Sequence, residues 1–237
     1  MARKILISQS VTMLSKITVL FFVAHAASAF HLTGPQEQLQ IIMKEIKRDV
    51  PVDINEALIS IRANLAPLSY YTDNAKTRIA ITDLKVDAQP FWTKIAELDE
   101  QAKKVGRLGC IEEGMELFFD LNNTAIAKPF RKINNYYNKG YLIVFKSDDK
   151  IDAVSKTLKD LTTRADNCAE DECASVLVKE AISFYSSSYE DIKAAIADIT
   201  QYAQVDLLKI LATIQIDKES YVSGYNGILE RVKLCID

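Results

Sequence analysis

Few residues of this chain have side chains suited to acid–base or nucleophilic catalysis. Its 237 residues include two histidines, His25 and His31, and both lie close to the N-terminus. A serine triad, a Cys–His pair, an H-E-x-x-H zinc site and a histidine general base all need an imidazole held rigidly in the fold. A terminal histidine is rarely held in that way. We therefore expect none of these sites, no cofactor and no enzymatic activity.

The carboxylates offer one remaining route to catalysis, because glycoside hydrolysis needs only an acid and an ionised partner. Glu112, Glu116 and Asp120 are spaced four residues apart, so they share one helix face, and Glu113 lies beside them. This row could hold a cation or serve a hydrolase. We interpret it as a solvated acidic face and predict no metal site, since the spacing of a calcium loop is missing.

The first 29 residues have the pattern of a secretory signal peptide. Arg3 and Lys4 precede an apolar run at residues 17–24, and Ala27 and Ala29 supply the small side chains that a signal peptidase accepts. The apolar run is too short to span a bilayer, which takes ~20 residues. We predict cleavage after Ala29 and a secreted, extracellular protein of residues 30–237 with no membrane segment.

Four cysteines in an exported protein favour two disulfides over a zinc site. They are Cys110, Cys168, Cys173 and Cys235, and three pairings are possible. Because Cys168 ends one predicted helix and Cys173 begins the next, these two lie at the same end of a bundle. Pairing them with each other, and Cys110 with Cys235, is geometrically easy. Crossing each of them to a different helix is nearly as plausible, so the spacing favours the first pairing only slightly.

The charge balance disfavours nucleic acids and anionic membranes as partners. The chain has 29 Lys and Arg against 32 Asp and Glu, a formal net charge of −3. Such partners are bound by clustered basic surfaces, and the sequence contains no run rich in lysine and arginine.

Composition and periodicity predict long helices. Gly and Pro together number 7 + 5 = 12 of 237 residues, about 5%, which is less than half of average usage. Apolar residues recur at alternating steps of three and four in at least five segments, a coiled-coil-like rhythm. We therefore predict an all-α fold, in which residues 30–237 form a single domain. Its architecture is an elongated antiparallel bundle of about six long amphipathic helices with two disulfides.

Interruptions of this rhythm set the expected helix ends. The stripe over residues 54–86 predicts one helix that Pro67 kinks, after a shorter helix that ends before Pro51. Residues 141–145 are the only β-like stretch, which we interpret as either helix or extended chain, and the stripe slips by one residue between Ala203 and Leu207. Further ends are expected near Pro90, Gly106, Pro129, Gly140 and residues 216–220, and a new helix is expected to be capped by Ser147-Asp148-Asp149.

Two further patterns concern the surface. Asn122-Asn123-Thr124 is the only glycosylation sequon, so Asn122 is the candidate glycan site. Tyrosines repeat at helical spacing on the later helices, where we expect core or boundary positions, although a groove lined by tyrosine could take an apolar ligand or a partner. They are Tyr136, Tyr137, Tyr141, Tyr185, Tyr189, Tyr202, Tyr221 and Tyr225.

The layout of the chain resembles the TsetseEP-domain family of secreted insect proteins. The shared features are a signal peptide, about 200 residues of amphipathic helix, the C-x4-C pair Cys168 and Cys173 before a long helix, and a lone Cys235 near the C-terminus. The resemblance spans approximately residues 34–237, although the Glu-Pro repeats of that family are missing. It implies an extracellular insect protein without known catalytic residues, so no site residue carries over.

Three functional hypotheses follow, in order of preference. The first is a secreted, non-enzymatic helical protein that binds another protein, a surface or a microbial molecule. The second is an extracellular carrier that holds a small apolar ligand between its helices. The third is a carboxylate-dependent hydrolase that uses the row around Glu116.

Overall fold

A computed structural model of the protein describes residues 34–237. Helices contain 94% of these residues, and no strand occurs among them. The all-α prediction is therefore confirmed. The predicted signal peptide, residues 1–29, lies outside the described residues.

The described chain forms seven α-helices and two π-helical segments. In chain order they are α1 (Pro35–Ala63), α2 (Leu65–Thr77), a first π-helical segment (Arg78–Asp83), α3 (Leu84–Val105), α4 (Leu108–Asp166), α5 (Asp171–Gln201), a second π-helical segment (Tyr202–Asp206), α6 (Leu207–Thr213) and α7 (Lys218–Ile236). They follow one another in three long helical runs, residues 35–105, 108–166 and 171–213, before the shorter α7. The prediction of six long helices is therefore wrong.

Several expected helix ends lie inside helices instead. α4 continues through Pro129, Gly140 and the expected cap at Ser147, and it includes residues 141–145, which adopt the helical one of the two expected conformations. Pro51 and Pro90 likewise lie inside α1 and α3. A proline removes one backbone hydrogen bond, and the apolar face of a long helix outweighs that loss when it is buried along its length.

Gly140 permits a close helix contact and does not end α4. An added Cβ at this position would lie 2.7 Å from Leu68 Cδ2 and 2.9 Å from Tyr202 Cε1. Gly106, in contrast, does end a helix, because its φ of 72° forms the left-handed C-cap of α3.

The π-helical segments shift the phase of the buried face. Ile79 is fully buried within the first segment, but Val86, the expected next member of the stripe, is 66% exposed. A π-turn holds an extra residue, so the buried face continues at Ala88 instead. The second segment coincides with the slip noted in the sequence between Ala203 and Leu207, and both of these residues are fully buried.

A kink was expected at Pro67. The helix instead breaks three residues earlier, at Asn64. α1 ends at Ala63, and Pro67 falls in the first turn of α2, where its missing N–H has no helical acceptor to lose. Asn64, at the break, is buried, and its Nδ2 donates to the carbonyl oxygen of Ser60 at 2.9 Å. The polar side chain therefore replaces part of the backbone bonding at the break.

Backbone contacts divide the described chain into two units. Unit 1 contains residues 34–56 and Ile151–Lys193, and unit 2 contains Ala57–Lys150 and Ala194–Asp237. The single domain over residues 30–237 stays a prediction.

Unit 1 buries an aliphatic core between parts of α1, α4 and α5. Lys47 Nζ pairs with Asp166 Oδ1 at 2.9 Å, and Arg164 Nη2 pairs with Glu180 Oε2 at 2.6 Å. These pairs join the helices at their solvent-exposed edges, where each contributes little to stability. The core is formed by small and aliphatic side chains, among them Ile46, Val50, Ile151, Ala174 and Ala181.

Unit 2 contains a buried aromatic cluster at the contact of α3, α4 and α7. The rings of Phe91 and Phe118 stack with centroids 3.7 Å apart and planes 5° apart. Tyr221 and Tyr225 lie edge to face with centroids 5.7 Å apart, and Tyr225 also contacts Phe91. Large rings in mutual contact bury much apolar surface, so this cluster is a main source of stability in unit 2.

Each unit contains one disulfide. Cys168 pairs with Cys173, which closes the connection between α4 and α5 in unit 1, and Cys110 pairs with Cys235 in unit 2. The Cα atoms are 5.9 and 5.8 Å apart, respectively. This is the pairing that the sequence favoured slightly.

Candidate functional site

The acidic row on α4 lies at the surface. Glu112, Glu116 and Asp120 are exposed, and the neighbouring Glu113 pairs with Arg231 Nη2 of α7 at 2.6 Å. Within residues 34–237, no group of three or more histidine, cysteine or carboxylate side chains is placed to hold a metal ion. The row therefore has the geometry of a solvated helix face.

Asn122 is only partly exposed. Its Oδ1 accepts a hydrogen bond of 2.7 Å from the hydroxyl of Tyr221, whose pKa is raised to about 12, mainly by burial. This contact ties α4 to α7 beside the aromatic cluster. Glycosylation of Asn122 stays a prediction.

The tyrosines divide into buried, half-buried and exposed positions. Tyr202, Tyr221 and Tyr225 are buried. Tyr202 donates its hydroxyl to the carbonyl oxygen of Tyr136 at 2.7 Å. Tyr141 is exposed, which places it outside the core and boundary positions expected from its spacing.

Three aromatic side chains form a ridge on α4 within unit 2. Tyr137 and Tyr141 stack with ring centroids 6.4 Å apart, and Phe145 lies 4.8 Å from Tyr141, edge to face. Tyr141 and Phe145 are 41% and 51% exposed, and Leu142 beside them is 59% exposed. We call Tyr137, Tyr141, Leu142 and Phe145 the aromatic ridge.

The same turns of α4 bury other residues against unit 2. Gly140, Val144 and Ser147 are buried, and Ser147 Oγ donates to the carbonyl oxygen of Ala195 at 2.9 Å. The side of α4 that packs against the rest of unit 2 is therefore formed by residues other than those of the ridge. The sequence held a signal for this arrangement, because Tyr137, Tyr141 and Phe145 repeat every four residues; the β-like composition of residues 141–145 obscured it.

Two adjoining cavities form a groove in unit 2, between α4 and the connector between α6 and α7. Their volumes are about 310 and 570 Å³, and Lys132 and Gln215 line both. Lys128 lines the first cavity and Lys139 the second. We call this the lysine groove. The sequence carries no local signal for this groove, because its two walls are more than 70 residues apart in the chain.

The connector wall of the groove is held in place by Arg78. Residues 214–217 are not helical, and Ile214 is extended with φ −84° and ψ 123°. Arg78 Nη2 donates to the carbonyl oxygens of Leu211 at 3.2 Å and Ile214 at 2.7 Å, while its Nη1 pairs with Asp83 at 3.0 Å. These contacts cap α6 and fix the start of the connector.

The charge of the groove is positive. Lys128, Lys132 and Lys139 make no ion pair with the part of the chain that the structure describes. Asp217 also lines the groove, but it caps α7 by accepting hydrogen bonds from Ser220 N at 3.1 Å and Ser220 Oγ at 2.9 Å. These bonds, together with the nearby charge of Lys128, hold the pKa of Asp217 below its ordinary value. Lys139 Nζ also lies 5.5 Å from the centre of the Tyr202 ring. Three lysines thus line a groove with one carboxylate, which already has hydrogen-bond partners.

A polar cluster in unit 1 contains two carboxylates whose pKa values shift in opposite directions. Hydrogen bonds from Arg48 and Tyr185 lower the pKa of Asp49, although burial opposes them; the Tyr185 bond is 3.0 Å long. Burial, followed by the charges of Asp49 and Glu56, raises the pKa of Asp53. No local pattern in the sequence marks this cluster. Its shifted pKa values make the stability of unit 1 depend on pH.

None of the helices within residues 34–237 combines the length and hydropathy that crossing a membrane requires. Comparisons with protein-family models, curated proteins and solved structures gave no significant match. The resemblance to the TsetseEP-domain family therefore stays a prediction.

Proposed function

We propose that the chain is a secreted, non-enzymatic helical-bundle protein that binds an extracellular partner through the aromatic ridge. The partner is a protein, a surface or a microbial molecule that offers an apolar contact area. The two disulfides support this proposal, because such bonds persist in the oxidising compartments through which exported proteins pass.

The exposure of the aromatic ridge is the observation that carries the proposal. Exposed apolar side chains are common singly, but adjoining ones indicate an interaction surface. Tyr141, Leu142 and Phe145 adjoin one another on α4, and each has at least 41% of its surface exposed. Tyrosine and phenylalanine are also enriched in protein interfaces, and tyrosine is one of the residues enriched among the strongest contacts.

Contacts within the ridge prepare it for binding. The ring of Tyr141 touches the rings of both Tyr137 and Phe145. Side chains that already restrict one another lose less conformational entropy when a partner covers them. The tyrosine hydroxyls add hydrogen-bonding groups at the edge of the apolar surface.

Site-specific photo-cross-linking tests the proposal. A photoreactive phenylalanine replaces Phe145 in one variant and Phe119 in a matched control. Both positions lie on α4 in unit 2, with 51% and 53% of the side chain exposed, but Phe119 is outside the ridge. Each variant is irradiated in the fluid that receives the secreted protein, and the adducts are identified by mass spectrometry.

We expect one discrete adduct from position 145 and none of that mass from position 119. The same adduct from both positions would show non-specific capture and contradict the ridge as the binding surface. Absence of an adduct at position 145, in a variant with the wild-type helical spectrum, would also contradict it.

A further inference from the structure

We propose that the lysine groove of unit 2 binds an acidic, extended segment of a partner protein. The groove goes beyond the aromatic ridge as a second binding site. Lys139 and Tyr141 are two residues apart and point about 160° away from each other around α4. The two surfaces can therefore be changed independently.

Charge complementarity determines the sign of the charge that the occupant carries. Lys128, Lys132 and Lys139 converge on one groove, whereas the carboxylate of Asp217 is engaged by Ser220. A bound carboxylate would gain these ammonium groups as partners without breaking an ion pair among the described residues. An acidic ligand therefore fits better than a neutral or basic one.

The spacing of the lysines determines the size of the occupant. From residue 128 to residue 139 an α-helix rises about 16 Å, which is too far for one phosphate or one carboxylate to touch all three lysines. An extended peptide covers that distance with about five residues at ~3.3 Å each. Several acidic side chains on one segment could then pair with the lysines together.

The connector offers backbone contacts to such a segment. The amide N–H groups of Gln215 and Ile216 donate no hydrogen bond to the described residues, and the chain at Ile214 is extended. Peptides are often bound by pairing with an extended backbone of this kind. Because Arg78 already holds the carbonyl oxygen of Ile214 at 2.7 Å, this wall needs little ordering on binding.

The lining of the groove favours a peptide over a fatty acid. Both cavities are lined by polar as well as apolar side chains, and the polar ones include Thr124, Asn135, Thr213 and Ser220 besides the lysines. Thr124, Thr213 and Ser220 already bond within the chain, but an alkyl chain would cover the ammonium groups of the groove lysines without giving them a partner, which is unfavourable. A peptide backbone and its carboxylates can satisfy them.

Fluorescence anisotropy with the full secreted chain tests the proposal. The probe is a labelled peptide of about ten residues that alternates glutamate and valine, which favours an extended form. We expect saturable binding that weakens as salt is added. The variant Lys128→Gln/Lys132→Gln/Lys139→Gln should bind at least about tenfold more weakly. Bound peptide should also slow hydrogen exchange at Gln215 and Ile216.

A second triple variant is the matched control. Lys146→Gln/Lys156→Gln/Lys159→Gln removes the same charge from exposed positions of α4 outside the groove, and we expect affinity within about twofold of the wild type. A loss as large as that of the groove variant would overturn the proposal, because it would show attraction by net charge alone. Equal binding of an alternating lysine–valine peptide would overturn it as well.

Two outcomes identify another occupant. If oleate binds to the wild type but not to the groove variant, and the acidic peptide does not bind, the groove is a lipid site and the peptide proposal fails. Unchanged hydrogen exchange at Gln215 and Ile216 in the peptide complex would overturn pairing with the connector. A Tyr141→Ala/Phe145→Ala variant should keep the wild-type peptide affinity, so the groove and the ridge succeed or fail separately.

Discussion

Replacing Cys110 and Cys235 with serine should destabilise the protein far more than replacing Cys168 and Cys173. The first bridge spans 125 positions of the chain and the second spans 5. A disulfide stabilises a fold mainly by restricting the unfolded chain, and this effect grows with the logarithm of the loop length.

The loop lengths give the expected magnitudes. With an entropy loss of about 2.1 + 1.5R ln n cal/mol/K, the long loop gives about 4.9 kcal/mol at 25 °C and the short loop about 2.1 kcal/mol. For a chain of this size, each kcal/mol changes Tm by about 2–4 °C. Removing the long bridge should therefore lower Tm by about 10–20 °C, and removing the short one by about 4–8 °C.

Scanning calorimetry of the wild type and the two double variants measures the losses of Tm. Hydrogen exchange shows which unit each variant destabilises. Because Cys110 and Cys235 belong to unit 2, exchange should increase there first. Equal losses of Tm, or a larger loss on removing the short bridge, would refute the loop-entropy reasoning. Peptide mapping that links Cys110 to Cys168 or Cys173 would refute the pairing itself.

Two other predictions concern the cores of the units. Phe118→Ala should cost about 3–5 kcal/mol, because its buried ring stacks on Phe91; Phe119→Ala, at an exposed position, should stay within about 0.5 kcal/mol of the wild type in urea unfolding. Asp53→Asn should stabilise unit 1 at neutral pH by less than about 1 kcal/mol, because burial and the charges of Asp49 and Glu56 disfavour the ionised carboxylate of Asp53. Since the folded pKa of Asp53 is raised, wild-type stability should fall relative to the variant as pH rises above about 3.9. If Phe119→Ala lowered the free energy of unfolding as much as Phe118→Ala, the assignment of the buried cluster would be contradicted. A stability difference between Asp53→Asn and the wild type that does not depend on pH would contradict the assignment of Asp53.

Local signals predicted several boundaries of the fold correctly. Cys168 and Cys173 flank the end of α4 and the start of α5, as expected from their place in the sequence. The slip in the stripe near Ala203 marked the second π-helical segment. These features depend on neighbouring residues, which a single sequence displays.

Other boundaries depended on tertiary packing. Pro129 and Gly140 are residues typical of helix ends, yet both lie inside α4. The helix continues there because it has a long apolar face, and at Gly140 it also packs closely against Leu68 and Tyr202. The break at Asn64 is stabilised partly by side-chain contacts with residues more than 100 positions away, such as Thr200 at 3.4 Å. Spacing within one segment does not contain that information.

The candidate sites were less predictable than the fold. The tyrosine spacing suggested a groove or a core but did not show that Tyr141 faces solvent. The lysine groove needs α4 and the connector at Gln215 to meet in space, and neither segment is unusual by itself. The exposure of a side chain and the meeting of two distant segments are properties of the folded chain.

The most direct test of the ridge is a titration of the cross-linked partner against two variants. Tyr141→Ala/Phe145→Ala removes the exposed rings, and Phe119→Ala removes a ring of similar exposure elsewhere on α4. If the ridge is the binding surface, the first variant should raise Kd by at least about 30-fold, the effect of losing about 2 kcal/mol at an interface hot spot, and the second should leave it unchanged. An unchanged Kd for Tyr141→Ala/Phe145→Ala, in a protein that melts like the wild type, would contradict the proposal.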